Sequence, residues 1–157
     1  MTRPLQTFET VLPDADATAA LGRALGGVLR AGDCVLLEGG LGAGKTHLAR
    51  ALIQSRLVAP EDVPSPTFTL VQVYETRGPE IWHADLYRLS GPDEVIELGL
   101  DAAFETAICL VEWPDRLGDI TPAEALTVEL VPEDAGGRRA IVRWTDAAWD
   151  ARLAGLT

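Results

Sequence analysis

Cys34-Val35-Leu36-Leu37-Glu38-Gly39-Gly40-Leu41-Gly42-Ala43-Gly44-Lys45-Thr46-His47-Leu48-Ala49 carries, in order, a short apolar run, a glycine-rich turn and the opening of a helix. The run Cys34-Val35-Leu36-Leu37 has the length and composition of a buried strand. Leu48, Ala49, Leu52 and Ile53 recur at helical spacing, so Lys45 and Thr46 stand at a helix N-terminus. Between strand and helix, Gly39 to Thr46 matches G-x-x-x-x-G-K-[ST] in full. Glycines in such a turn let backbone N–H groups point inward around a phosphate, and the helix dipole adds to the attraction. Lys45 is the only lysine in the chain, and the other basic residues are all arginine. A lysine ammonium is a compact point charge that fits between phosphate oxygens where a planar guanidinium does not. These residues point to a nucleoside triphosphate, held by Gly40, Leu41, Gly42, Ala43, Gly44, Lys45, Thr46 and His47. His47 is expected to lie on the helix face rather than to act as a catalyst.

The rest of the chain agrees with a compact α/β protein. With 157 residues it is long enough for one sizeable core, so a single domain over 1–157 is expected. No apolar run reaches membrane-spanning length, and the N-terminus lacks a basic segment followed by an apolar one, which points to a cytoplasmic protein. The formal net charge of −11 argues against direct binding to a nucleic-acid backbone. The small basic cluster Arg138, Arg139 and Arg143 reads as a solvated hairpin. Cys34 and Cys109 fall in apolar runs without metal or redox spacing and read as buried thiols. Two distant histidines give zinc no ligand set.

Outward from the loop, Pro13-Asp14 precedes a helical pattern of Ala17, Leu21, Ala24, Leu25 and Val28. Asp14 or Asp16 suits its start, and Arg30 with Gly32 its end. Downstream, Leu70-Val71-Gln72-Val73-Tyr74 and Ile81-Trp82-His83-Ala84-Asp85 form an antiparallel pair around Gly78-Pro79. Residues 92–98 and 100–105 read as short helices. Ala107-Ile108-Cys109-Leu110-Val111 is the most apolar strand, residues 117–124 a loop with a helical piece, and residues 127–131 with 140–144 a second hairpin around Gly136-Gly137. The expected fold is a P-loop nucleoside triphosphate hydrolase fold, with a mixed sheet whose parallel core is widened by antiparallel strands and flanked by helices.

Hydrolysis needs more than the loop: a divalent cation, and a group that places the attacking water. Thr46 offers a hydroxyl. Glu112 follows the apolar strand at the position where phosphate-loop ATPases carry an acid, and Asp85 ends the other candidate strand with His83 on the same face. The sequence leaves open which of the two acids faces the metal and which the γ-phosphate. Thr67 lies in a loop flanked by Pro64 and Pro66, and its hydroxyl or backbone could reach the γ-phosphate and metal. His83 reads as a packed strand residue. Arg88 could meet phosphate charge or pair with Asp85 or Glu94, and Trp113 is either a core aromatic or a flank of the nucleotide or of a partner.

Four segments, Leu41-Gly42-Ala43-Gly44-Lys45-Thr46, Ser65-Pro66-Thr67-Phe68-Thr69-Leu70-Val71, His83-Ala84-Asp85-Leu86-Tyr87-Arg88-Leu89 and Glu112-Trp113-Pro114, resemble in order and spacing the TsaE (formerly YjeE) family. The resemblance covers roughly residues 14–116. It implies an ATPase needed to make threonylcarbamoyladenosine beside the anticodon of certain tRNAs. It further implies ATP and Mg²⁺ as cofactors, weak intrinsic hydrolysis, and association with the TsaB–TsaD transferase pair, tRNA being reached only through that complex. Carried over by motif, Lys45 binds phosphate, Thr46 and Glu112 bind Mg²⁺, and Asp85 and Thr67 sit at the γ-phosphate. The resemblance also makes Asp14 an adenine-side contact. Where the family commonly has a second threonine this chain has His47, which leaves the Thr46 hydroxyl in place.

Three other readings compete. A small-molecule kinase would need an arginine-bearing lid after the central strand, and none is evident. A regulatory GTPase would need an Asn-Lys-x-Asp segment, and the chain has no asparagine and no second lysine. A scaffold that binds ATP without useful hydrolysis shares every motif.

Overall fold

In the computed structural model, which describes residues 3–156, the strand that precedes the glycine loop lies in the middle of one seven-stranded sheet. The strands are β1 (Gln6–Leu12), β2 (Cys34–Glu38), β3 (Val71–Tyr74), β4 (Ile81–Asp85), β5 (Ile108–Glu112), β6 (Leu126–Pro132) and β7 (Arg138–Trp144). Their order across the sheet is β1-β7-β6-β2-β5-β4-β3. β6, β2, β5 and β4 run parallel. The antiparallel partners β7 and β1 extend one side and β3 the other. This is the mixed sheet that the sequence pattern requires.

Strand periodicity divides the core. Val35, Leu37, Ile108, Leu110, Val128 and Leu130 face one side, where Leu21 and Leu25 of α1 (Ala15–Gly26) and Leu48, Leu52 and Ile53 of α2 (Lys45–Arg56) cover them. Cys34, Leu36, Cys109 and Val111 face the other, under Val95 of α3 (Pro92–Glu97) and Leu100 of α4 (Leu100–Ala103). β5 is buried along its whole length, as a parallel strand covered on both faces must be. Helices α1 and α2 approach closely because Gly22 presents no side chain: a Cβ there would stand 2.5 Å from the Leu48 carbonyl oxygen. That contact fixes α2, and with it Lys45 and Thr46 at its first turn.

Four local features differ from the sequence reading. Helix α1 ends at Gly26-Gly27 rather than near Arg30, because two successive glycines lower helix propensity there. The edge strand β1 and the C-terminal helix α5 (Ala148–Leu153) were not foreseen. The strand proposed to begin at Leu70 begins one residue later, since Leu70 itself turns through a positive φ of 69°. Residues 114–120, between β5 and β6, form a 3-10 segment kinked at Gly118. Among the described residues no helix is long and apolar enough to cross a membrane.

Candidate functional site

The site is built where parallel strands end. In the β4–β5 register Asp85 is the direct partner of Glu112, and β5 in turn pairs with β2, which leads into the glycine loop. Two strand-terminal acids and the first turn of α2 are thereby gathered on one edge of the sheet, the place where open α/β sheets bind ligands.

The loop enters α2 through Gly44, whose φ of 102° is left-handed and suits glycine. Its carbonyl accepts the Leu48 N–H at 2.9 Å, and Ala43 N–H closes a turn on the Gly40 carbonyl at 3.2 Å. Lys45 is buried; its Nζ donates to the Gly39 carbonyl at 2.6 Å and lies 3.6 Å from the centroid of the Trp113 ring. Burial pulls the Lys45 pKa below the ordinary lysine value, while Glu112, Asp85 and Asp115 pull it back up. Trp113 is held by a positive φ of 57° and by the Tyr87 ring, 4.8 Å between centroids. It packs against the core on one side and lines the cavity beside Lys45 on the other.

Glu112 is the polar centre. The Thr46 hydroxyl donates to its two carboxylate oxygens at 3.1 and 3.0 Å, and His83 Nε2 lies 2.7 Å from Oε2. His83 is fully buried, so it is more than the packed strand residue expected: it is the partner of Glu112. A hint was present in the sequence, where His83 shares a strand face with Asp85. Asp85 accepts the Tyr87 N–H at 3.0 Å and, more weakly, the Thr67 hydroxyl at 3.4 Å; Thr67 also meets Ser65 Oγ at 2.7 Å.

Leu41, Gly42, Ala43, Gly44, Lys45, Thr46, His47, Thr67, Asp85 and Glu112 line a single cavity of about 280 Å³ together with Trp113. Gly40 stands beside it through the turn with Ala43. Asp14 lies elsewhere: its carboxylate caps α1 by accepting the Ala17 N–H at 2.8 Å, and it lines a neighbouring cavity of about 300 Å³. Ala43, Gly44 and His47 wall both cavities, and His47 Nε2 donates to the Ala15 carbonyl at 3.0 Å. Arg88 pairs with neither Asp85 nor Glu94; its guanidinium stacks on Phe68 at 4.6 Å.

One residue of the site escaped the sequence reading. Arg138, taken there as part of a solvated hairpin, reaches the loop and donates to the Gly42 and Ala43 carbonyls. Its neighbours Arg139 and Arg143 do pair with surface acids, Glu133 and Glu9 in one case and Glu129 in the other. Nothing local in the sequence separates Arg138 from them.

The oxygen donors of Thr46 and Glu112 suit a hard cation such as Mg²⁺, which takes one or two carboxylates and fills its remaining positions with water and phosphate. Among the described residues no group of three or more His, Cys, Asp or Glu could hold a metal by itself.

The family model for the threonylcarbamoyl adenosine biosynthesis protein TsaE matches residues 12–141. A Nostoc tRNA threonylcarbamoyladenosine biosynthesis protein TsaE is 39% identical over 140 residues, covering 86% of this chain and 85% of the relative. The Rickettsia bellii protein of that name is 36% identical, over 78% of this chain and 85% of its own. The Haemophilus influenzae one is 42% identical over 61% of each. The crystal structure of Bacillus subtilis YdiB superposes with a TM-score of 0.76 at 24% identity, covering 99% of this chain and 96% of that one, and so shares its fold.

Proposed function

We propose, from the premise that the chain belongs to the TsaE family of tRNA threonylcarbamoyladenosine biosynthesis proteins, that it is a Mg²⁺-dependent ATPase acting on the TsaB–TsaD transferase. The observation that carries this reading is the convergence of Lys45, Thr46, Asp85, Glu112 and Thr67 on one cavity at the N-terminus of α2. In that reading the backbone amides of residues 40–46 cradle the phosphates, and Lys45 leaves the Gly39 carbonyl to neutralise the β and γ oxygens. Thr46 and Glu112 hold the cation, with His83 keeping the Glu112 carboxylate in place. Mg²⁺ supplies charge neutralisation on the phosphates when bound. Asp85, tethered by the Tyr87 amide and flanked by Thr67, orients the attacking water. The Trp113 ring over Lys45 shields the phosphate side from solvent. Asp14 and its cavity lie on the adenine side.

The cavity contains no group dedicated to transition-state charge beyond Lys45, which supports weak hydrolysis alone and stimulation by a partner. The strongly negative chain would meet tRNA only through that partner, in the cytoplasm. The test is ATP hydrolysis with and without Mg²⁺, by the chain alone and with its cognate TsaB–TsaD pair, with Lys45→Ala as control. Partner-stimulated turnover that disappears in the variant is expected. Turnover indifferent to the pair, with no complex formed, would refute the assignment to that transferase.

A further inference from the structure

We propose that Arg138 is a positioning residue for phosphate binding, acting through the glycine loop rather than on the ligand. This rests on the phosphate-binding reading of that loop. Arg138 opens β7, and its guanidinium spans the gap from hairpin to loop. Nε donates to the Ala43 carbonyl at 3.0 Å and Nη2 to the Gly42 carbonyl at 2.9 Å, while Nη1 is anchored on the Gly137 carbonyl at 3.0 Å. The anchor is firm because the hairpin lies tightly against the lead-in to α1: a Cβ on Gly137 would stand 2.6 Å from the Leu12 carbonyl oxygen.

In a planar trans peptide the carbonyl of one residue and the N–H of the next point in opposite directions. Drawing the Gly42 carbonyl toward Arg138 therefore turns the Ala43 N–H away from it, and drawing the Ala43 carbonyl does the same for Gly44. Gly42, Ala43 and Gly44 all line the cavity that holds Lys45 and Thr46. The Ala43 N–H closes the turn onto the Gly40 carbonyl at 3.2 Å, so the guanidinium selects the loop conformation in which that turn is closed and the Gly44 N–H faces away from the hairpin. Glycines free to adopt many conformations would otherwise sample others, and an anion would have to select among them at a cost in affinity. A planar fork offers donors in fixed directions to the two carbonyls, whereas an ammonium is a point charge on a flexible stem and orients them less.

The charge matters as well. In a chain of net charge −11, Arg139 and Arg143 are matched to carboxylates, whereas all three hydrogen bonds of Arg138 go to main-chain carbonyls. Its positive charge is therefore engaged in holding loop and hairpin carbonyls rather than in pairing with an acid.

The experiment compares the intact protein with Arg138→Ala, Arg138→Lys and, as a surface control, Arg139→Ala. Calorimetry gives the ADP dissociation constant with Mg²⁺, and amide hydrogen exchange follows the nucleotide-free protein. Arg138→Ala is expected to weaken ADP binding about tenfold, the loss of one or two hydrogen bonds that pre-order the loop. It should also speed exchange at residues 42–44 while β2 and β5 stay protected. Arg138→Lys should keep the charge, recover part of the affinity and leave loop exchange fast. Free guanidine at millimolar concentration should restore binding to Arg138→Ala but not to Lys45→Ala. Weakened binding with loop exchange unchanged would show that Arg138 touches the nucleotide itself and would overturn the proposal. An unchanged dissociation constant in Arg138→Ala would do the same. Failure of the unsubstituted protein to bind ADP would instead refute the nucleotide reading on which the proposal rests.

Discussion

Replacing His83 by leucine removes the 2.7 Å partner of Glu112 while keeping a side chain of similar bulk in a fully buried strand position. Glu112, itself only 3% exposed, is left with the Thr46 hydroxyl as its donor. Breaking one side of a buried charge-assisted pair costs about 3–5 kcal/mol, and the remaining Thr46 bonds place this case near the low end, at about 3 kcal/mol. For a chain of this size each kcal/mol lowers Tm by roughly 2–4 °C, so His83→Leu should melt about 6–12 °C lower. Glu112→Leu strands the imidazole instead, and His83 Nδ1 is already buried without a partner, so neither ring nitrogen would then be satisfied. That loss should be about 1–3 kcal/mol. The double variant removes both polar groups together, and its loss should fall short of the sum of the single losses by about 2 kcal/mol. Urea unfolding in the absence of Mg²⁺, followed by circular dichroism and by tryptophan fluorescence, measures all four proteins. Losses additive within about 0.5 kcal/mol would refute the claim that His83 and Glu112 act as one unit.

Other consequences are simpler to state. Gly22→Ala should destabilise by about 1–3 kcal/mol, the cost of overpacking against the Leu48 carbonyl exceeding the helix propensity gained. Gly27→Ala should stabilise by about 0.4–1 kcal/mol, because Gly27 has a φ of −74° and its nearest contact would be an ordinary 3.5 Å; thermal melts of the pair give opposite signs if the packing is as described. Burial pushes the Cys109 thiol up to about 12, and burial with the neighbouring Cys109 and Asp33 raises Cys34 too, so neither should react with a thiol reagent at neutral pH until urea unfolds the chain. Burial, then repulsion from Glu129, raises the Glu38 carboxyl against the pull of Arg143. A raised acid favours folding only while protonated, so its contribution is present below the ordinary carboxylate range and lost as pH rises through the shifted value. Glu38→Gln should therefore stabilise at pH 7, by less than about 0.5 kcal/mol given its exposure, and the gain should vanish in acid; parallel melts at the two pH values decide it.

The sequence made the middle of the sheet legible because burial on both faces leaves a plain signature. Cys34-Val35-Leu36-Leu37 and Ile108-Cys109-Leu110-Val111 are uninterrupted apolar runs, and both became parallel strands. The edges were harder. Along β1 the inward positions Gln6, Phe8, Thr10 and Leu12 are half polar, so period-two alternation is faint and the pairing with β7 supplies what the pattern lacks. The last helix, α5, rests on Trp149 and Leu153 with too few turns to display a period. Gly26-Gly27 was a stop signal weaker on paper than in the fold, where it sets the end of α1.

The site divides along the same line. Residues 40–47 announce themselves because the motif that contains them has a fixed local spacing. Asp85 and Glu112 could be nominated from their strand ends, but their adjacency is a matter of strand register, and the 26 residues of intervening chain carry no marker of it. His83 and Arg138 go a step further, since each acts through a partner rather than on a ligand. A side chain that orients another need satisfy only one geometric condition, and chain segments 29 and 95 residues away meet it here. Motif reading therefore finds the groups that touch a ligand before those that hold them still. The Arg138 link shows why the second kind matters: it makes the last hairpin a structural part of the glycine loop. The family match reaches that hairpin as far as residue 141, well beyond the stretch of roughly 14–116 read from the sequence. Changes in the length or pairing of β6 and β7 should then reach the cavity at the N-terminus of α2 without altering any residue that lines it.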